Sequence, residues 1–161
     1  METRQEWFDT DEILEGILSW ARIESPTYHA AGVNSVPDLA ELEMTELGGD
    51  VSRTAGTQGF GDIVTAKFNG EVDRQGAGIL VLAHVDTVHN VGTLDGRLPI
   101  RREGEKVFGP GVLDMKGGGR LAVEAFKAIS RASLKTRLPV TFMFTPDEEI
   151  GSPTSRDAIE A

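Results

Sequence analysis

The sequence contains no cysteine among its 161 residues, and only three histidines. The absence of cysteine excludes thiol catalysis, disulfide bonds and cysteine-based zinc fingers. A metal ion would therefore have to be held by a few imidazoles together with carboxylates. No apolar run approaches the roughly 20 residues that a membrane helix needs. The acidic first twenty residues do not resemble a secretory signal or a transit peptide, so we expect a cytoplasmic protein without a membrane partner.

Positively charged residues are also few. The chain has 16 Lys and Arg against 26 Asp and Glu, which gives a formal net charge of -10. Such a surface repels polyanions, so a nucleic-acid partner is not expected. With 39% hydrophobic and 26% charged residues the composition is that of a globular protein. The length favours a single domain. Some of the carboxylates could lie close together in the fold and bind cations.

Hydrophobic periodicity predicts alternating helices and strands. Apolar residues recur at helical spacing over residues 10–24, 31–47 and 116–131, and Pro153 is expected to open a further helix. Strands are predicted near residues 50–54, 62–68, 79–83 and 138–145, the last two as continuous apolar runs that are buried on both faces. This order predicts an α/β fold, a three-layer α/β/α sandwich around a largely parallel sheet.

Polar motifs follow two of the predicted strands. His84-Val85-Asp86 comes directly after the run 79–83, and Asp147-Glu148-Glu149 follows the run that ends at residue 145. Between them, a glycine-rich loop over residues 109–118 carries Asp114 and leads into a helix. Ligands of such sheets bind beyond the carboxyl ends of the strands. We therefore expect these three motifs to converge at one edge of one sheet.

Imidazole and carboxylate are the groups that a hydrolytic two-zinc site requires. One carboxylate can bridge two ions about 3.5–4 Å apart, and Asp114 is the candidate. His84 would be a terminal ligand whose other ring nitrogen Asp86 could fix. Of the adjacent Glu148 and Glu149, one could bind metal while the other acts as a general base. Taken singly, each motif also has an ordinary explanation as a core histidine, a solvated helix start or a tight turn.

Together the three motifs resemble a known enzyme family. His-x-Asp-Thr-Val, Gly-Pro-Gly-x-x-Asp-x-Lys-Gly-Gly and Asp-Glu-Glu-x-Gly-Ser are similar to those of the co-catalytic zinc peptidases that include glutamate carboxypeptidase, aminoacylase and succinyl-diaminopimelate desuccinylase. The resemblance spans at least residues 79–159. It implies the zinc-peptidase (phosphorylase/hydrolase-like) catalytic fold and two Zn²⁺ ions, although His and carboxylate ligands also accept Co²⁺ or Mn²⁺.

The resemblance also implies a role for each motif residue. His84 would bind one zinc ion, Asp114 would bridge both ions, and Glu149 would bind the other. Glu148 would be the catalytic general base, with Asp86 as the residue that orients His84. The peptide bond after the bridging aspartate is often cis in the family, so Asp114–Met115 is expected to be cis.

Some parts of the family pattern have no counterpart in these residues. The family has a further Asp ligand after the Glu pair, a His ligand near its carboxyl end and an inserted dimerisation domain. We therefore expect residues 1–161 to be the N-terminal portion of the catalytic domain of a longer, homodimeric protein, with little activity and weak zinc binding alone. His29 and His89 are not expected to replace the missing ligands, and His89 is expected to be exposed polar surface.

The function implied is hydrolysis of an amide bond in a small peptide or N-acyl amino acid that has a free carboxylate beside the scissile bond. This is a carboxypeptidase or deacylase activity. One alternative is an inactive fragment that acts only by association through an exposed sheet edge. Another is an aminopeptidase of the same superfamily.

Overall fold

The computed structural model describes residues 7–72 and 77–161. The helices are α1 (Thr10–Ala21), α2 (Ala30–Glu46), α3 (Lys116–Arg131) and α4 (Arg156–Glu160). The strands are β1 (Asp50–Thr54), β2 (Ile63–Phe68), β3 (Ile79–His84), β4 (Arg101–Glu103), β5 (Lys106–Phe108) and β6 (Val140–Thr145). None of the helices in this part of the chain is both long enough and apolar enough to cross a membrane. Each predicted helix and strand is present, although α1 ends three residues before the predicted residue 24 and α4 begins at Arg156, three residues after the predicted Pro153.

The main sheet has four strands in the order β1-β2-β6-β3. β2 is antiparallel to both β1 and β6, whereas β3 runs parallel to β6, with Ile79 opposite Val140 and His84 opposite Thr145. The prediction of a largely parallel sheet is therefore wrong. β1 and β2 are joined by a short loop without a crossover helix, and such a connection pairs strands in antiparallel fashion.

A second, two-stranded sheet pairs β4 with β5 and was not predicted. Each strand has three residues, and the side chains of β4 are all exposed. Strands that short and polar show no apolar alternation, which is the signal that sequence patterning depends on. The hairpin lies in the segment between β3 and α3, for which no strand was predicted.

The hydrophobic core lies between one face of the main sheet and the helices α1, α2 and α3. Trp20 of α1 is fully buried and packs edge-to-face against Phe144 of β6, with ring centroids 5.8 Å apart. Phe142, Val64 and Val123 belong to the same cluster. The amphipathic faces that predicted the helices are therefore the faces that cover the sheet.

The opposite face of the sheet is more open. Within the described residues only the short helix α4 borders it, where Ile159 lines a surface cavity together with Leu80 and Met143. β3 forms one edge of the sheet, and Ile79, Leu80 and Leu82 are 40–49% exposed. Burial on both faces is therefore confirmed for β6 but is wrong for β3. The α/β fold is confirmed, and its second helical layer consists of α4 in the part of the chain described.

A buried arginine joins the three long helices. Arg120 of α3 pairs with Glu43 of α2 and with Glu124 of its own helix. Burial alone would lower the pKa of Arg120, but the two carboxylates outweigh this effect and raise it. Gly16 of α1 leaves the space that Arg120 occupies, because a Cβ at this position would collide with the Nε atom of Arg120.

We expect Arg120→Ala to lower the free energy of unfolding by about 3 kcal/mol, because it removes the main partner of the buried Glu124 carboxylate. Arg131→Ala is the matched control on the same helix. Its partner Glu12 is partly exposed, and the loss should stay below about 1 kcal/mol. Urea unfolding of both variants measures the difference. Equal losses would contradict the importance of the buried pair.

Candidate metal centre

The candidate site lies at the carboxyl ends of the adjacent parallel strands β3 and β6. His84 is the last residue of β3, and Asp147, Glu148 and Glu149 follow the last residue of β6. Since the two strands run in the same direction, their carboxyl ends place these side chains at one edge of the sheet. Asp114 reaches the same edge from the loop that precedes α3. The predicted convergence of the three motifs is confirmed.

The polar atoms of the cluster are close to one another. His84 Nε2 lies 3.1 Å from Asp114 Oδ1 and 3.5 Å from Glu148 Oε2. One ligand atom from each of His84, Asp114 and Glu149 can be chosen so that all three lie within 4.8 Å of one another. An imidazole with two carboxylates at this spacing fits a metal ion that prefers nitrogen and oxygen ligands. The Asp114–Met115 peptide bond is cis, as the family resemblance implied.

Asp86 is fully buried directly behind the cluster. Its Oδ1 lies 3.3 Å from His84 Nδ1, and its Oδ2 accepts a hydrogen bond from Thr27 Oγ1 at 2.7 Å. The backbone N–H groups of Glu148 and Glu149 also donate to this carboxylate, each at 3.2 Å. Asp86 thus contacts the imidazole at the end of β3 through its backbone carbonyl oxygen, 3.2 Å from His84 Nδ1, as well as through its carboxylate, and the carboxylate holds the loop that follows β6.

The site is strongly acidic, and this changes the pKa of its members. Burial alone would lower the pKa of His84, but hydrogen bonds to Asp86 and Asp114 outweigh burial and raise it to about 9. Burial raises the pKa of Glu149, and the nearby charge of Asp114 adds to this effect. Positive charge therefore stabilises this cluster, whether as a proton on His84 or as a bound cation.

Asp147 stabilises a loop of the site, although no role was predicted for it from the sequence. Its buried carboxylate accepts hydrogen bonds from Thr154 N at 2.6 Å, from Thr154 Oγ1 at 2.7 Å and from Ser155 Oγ at 2.5 Å. These bonds close the loop that carries Glu148 and Glu149. The signal was available, because Asp147 directly precedes the glutamate pair and is followed by a Ser/Thr-containing turn.

The segment before α2 also supports the site, and it too was missed. Besides Thr27, Ser25 Oγ donates to the carbonyl oxygen of Val85 at 2.7 Å, and Thr87 N donates to the carbonyl oxygen of Ser25 at 2.9 Å.

Lys116 is fully buried, and its Nζ donates to the carbonyl oxygen of Ile23 at 2.6 Å. Burial lowers the pKa of Lys116 to about 8. The sequence showed this segment only as the end of a helix.

Neither of the other two histidines belongs to the group of described residues that could hold a metal ion. His29 is exposed at the start of α2. His89 is half-buried, and its Nδ1 is enclosed without a hydrogen-bond partner among residues 7–72 and 77–161. The expectation that His89 is exposed polar surface is therefore wrong. His89 and Asp114 line the same cavity.

Comparison with known proteins identifies the family. Residues 80–161 match the sequence profile of peptidase family M20/M25/M40. Carboxypeptidase G2 from Pseudomonas sp. is 34% identical over 156 residues, which cover 94% of this chain and 36% of that protein. The chain therefore spans about a third of the length of this relative.

Solved structures show the same fold. Human carnosine dipeptidase 1 is similar with a TM-score of 0.77 at 18% identity, over 93% of this chain and 35% of that one. An M20 family metallo-carboxypeptidase from Sulfolobus solfataricus has a TM-score of 0.69 at 18% identity, over 94% of this chain and 34% of that one. The profile match covers half of the chain and includes His84, Asp114 and the Glu148–Glu149 pair. The chain is thus a member of peptidase family M20/M25/M40.

Proposed function

We propose that this chain supplies the N-terminal part of the catalytic domain of a metal-dependent amidohydrolase. The observation that carries the proposal is the convergence of His84, Asp114 and Glu149 around one point, with Glu148 beside them. The match to about a third of a carboxypeptidase supports a longer protein, in which further polypeptide contributes additional ligands. The activity belongs to that intact protein.

The metal proposed is zinc, with two ions per intact site. His84 and Asp114 would hold one ion, and Asp114 and Glu149 the other. Zinc in such a site supplies Lewis-acid chemistry, since it polarises a carbonyl group and makes water more acidic. The absence of cysteine leaves only nitrogen and oxygen ligands, which suit zinc but also cobalt and manganese.

Glu148 is the proposed general base. Its side chain is more than half exposed and approaches the cluster, with Oε2 at 3.5 Å from His84 Nε2. Asp86 accepts a hydrogen bond from the backbone N–H of Glu148, which fixes the main chain and leaves the side-chain carboxylate unengaged by that residue. The carboxylate is therefore free to accept a proton from the attacking water and to return that proton to the leaving amine.

Asp86 is the proposed positioning residue for this chemistry. Its backbone carbonyl oxygen lies 3.2 Å from His84 Nδ1 and its carboxylate 3.3 Å from the same atom, and together they direct Nε2 of the ring towards Asp114 and Glu148. Its hydrogen bonds to the backbone of Glu148 and Glu149 set the position of both glutamates at the same time. Loss of the Asp86 carboxylate would thus disturb the position of His84 and of the loop that carries Glu148 and Glu149.

The proposed substrate is a small peptide or an N-acyl amino acid with a free carboxylate beside the scissile bond. The name of the 34% identical relative, a carboxypeptidase, supports this class. A panel of N-acyl amino acids and unblocked dipeptides tests it on the intact protein. Preference for the unblocked amino terminus would favour an aminopeptidase instead.

We predict that Glu148→Gln in the intact protein lowers kcat by at least about 100-fold, because the amide cannot accept the proton. Zinc content should be unchanged. Glu149→Gln is the contrasting variant and should lose zinc together with activity, while Glu105→Gln, at the exposed turn between β4 and β5, should change neither. Kinetics and metal analysis of the three variants provide the test. Loss of zinc from Glu148→Gln would make Glu148 a ligand rather than the base.

We predict that Asp86→Asn weakens zinc binding to this chain by about 10-fold or more, because the amide removes the negative charge beside His84 Nδ1 and keeps only one of the two oxygens that accept the backbone N–H groups of Glu148 and Glu149. Asp62→Asn is the matched control. Asp62 also accepts a backbone N–H, from Gly56, but in another part of the chain. Competition with a coloured zinc chelator gives both affinities. Unchanged affinity in Asp86→Asn with unchanged folding would show that Asp86 does not position a ligand.

A further inference from the structure

Lys116 has no role in the hydrolytic chemistry proposed above, although it lies two residues after Asp114. It is the first residue of α3, and its side chain is fully buried. An ammonium group loses its hydration on burial, so lysine is rarely enclosed in this way without partners for its charge. A buried amine this close to a proposed metal ligand therefore has to be held by specific contacts.

The loop that carries Asp114 is folded around the aliphatic stem of Lys116. Gly111 has a φ of +71°, and a Cβ at this position would lie 2.9 Å from Lys116 Cδ and 3.0 Å from Lys116 Cγ. Gly117 N donates to the carbonyl oxygen of Gly111 at 3.2 Å and closes the loop. The lysine stem thus fills space that is open only because residue 111 has no side chain.

The side chain of Asp114 is not held in place by packing. It is 73% exposed, and it joins the cluster through His84 Nε2, which lies 3.1 Å from Asp114 Oδ1. An exposed carboxylate takes its position mainly from its own backbone, so the loop sets where this proposed metal ligand lies. Groups that support a ligand from behind are as much a part of a metal site as the ligand itself. The stem of Lys116 inside the loop is such a support.

The other end of Lys116 is held by the segment before α2. Its Nζ donates to the carbonyl oxygen of Ile23 at 2.6 Å. Burial lowers the pKa of Lys116, whereas the negative charges of Glu24 and Asp86 oppose that effect. The ammonium group is thus stabilised by one carbonyl oxygen and by two carboxylates, one of which is the carboxylate that contacts His84.

We propose that Lys116 is a positioning residue of the metal centre, which sets the place of Asp114 by tying its loop to the segment before α2. The stem supports the loop from inside, and the ammonium group anchors it at the carbonyl oxygen of Ile23. The same charge offsets that of Asp86. This inference rests on the proposed function for the identity of the metal ligands, and it adds a residue that acts through Asp114 rather than on the metal.

Lys116→Met keeps most of the stem and removes the amine. We expect zinc to bind this variant of the chain about tenfold more weakly, because a misplaced Asp114 is a poorer ligand. In the metal-free variant the Gly117 amide should exchange its hydrogen at least about tenfold faster, because the loop opens. Competition with a zinc chelator and NMR measure the two quantities.

A wild-type value of either quantity in Lys116→Met would overturn the proposal. Tighter zinc binding would also overturn it, because loss of a nearby positive charge by itself favours a bound cation. Lys127→Met is the matched control on the same helix. Lys127 Nζ pairs with Glu124 at 3.1 Å and with Glu43 at 3.4 Å, and its loss should change neither quantity. Equal effects in both variants would show general destabilisation instead.

Chemical rescue isolates the positive charge. The sequence has no cysteine, so Lys116→Cys carries a single thiol that can be alkylated in urea before refolding. Bromoethylamine restores an amine at the length of lysine, whereas bromopropane gives a neutral side chain of the same length. The aminoethyl adduct should bind zinc within about twofold of wild type, and the propyl adduct about tenfold more weakly. Equal affinities of the two adducts would remove the ammonium group from the proposal.

Hydrogen exchange of the wild-type chain gives a measurement that depends on no variant. The Gly117 amide should be protected before zinc is added, because Lys116 already holds the loop. Zinc should slow its exchange by less than about threefold relative to the amide of Val123 in the same helix. Protection that appears only with zinc would mean that the metal closes the loop, and it would overturn the proposal.

The metal-free measurements also separate a failure of this inference from a failure of the proposed function. A wild-type chain that binds no zinc would contradict the proposed metal centre. Faster Gly117 exchange in Lys116→Met would still support the tie between Lys116 and the loop of Asp114. Zinc binding of equal strength in wild type and Lys116→Met would contradict the role of Lys116 alone.

Discussion

The carboxylate of Asp86 connects parts of the chain that are far apart in sequence. It accepts hydrogen bonds from Thr27 before α2 and from the backbone of Glu148 and Glu149 after β6, and it lies against the imidazole at the end of β3. A buried carboxylate requires such partners, because an unpaired charge in the interior is costly. The same requirement that stabilises Asp86 therefore assembles the candidate metal centre.

The remaining structure brings these partners within reach. The parallel pairing of β3 with β6 places His84 next to the loop of Glu148 and Glu149, and the core beneath them packs Phe142 and Phe144 against the helices. Asp147 closes the loop from below through Thr154 and Ser155. Stability and site geometry thus depend on the same few strands, while the outer face of β3 contributes little to either.

Much of the site was predictable from sequence because each predicted site residue lies at the end of a strand, shortly after one, or in the loop before α3. Position relative to the strands is enough to place His84 and Glu149 at one edge of a sheet. The direction of β2 was not predictable in this way, since hydrophobic patterning carries no information on which strands become neighbours. The hydrogen bond of Thr27 to Asp86 spans 59 residues, and the enclosure of His89 Nδ1 depends on the path of a loop. The sequence has no periodic signal for either.

The most direct measurement is anomalous X-ray diffraction at the zinc absorption edge from crystals of this chain soaked in zinc. The geometry predicts an anomalous peak about 2.0–2.2 Å from His84 Nε2, with an oxygen of Asp114 at a similar distance. Asp86 should remain against Nδ1 of the same ring. A zinc ion bound elsewhere, with His84 and Asp114 free of metal, would contradict the assignment of this cluster as a metal centre.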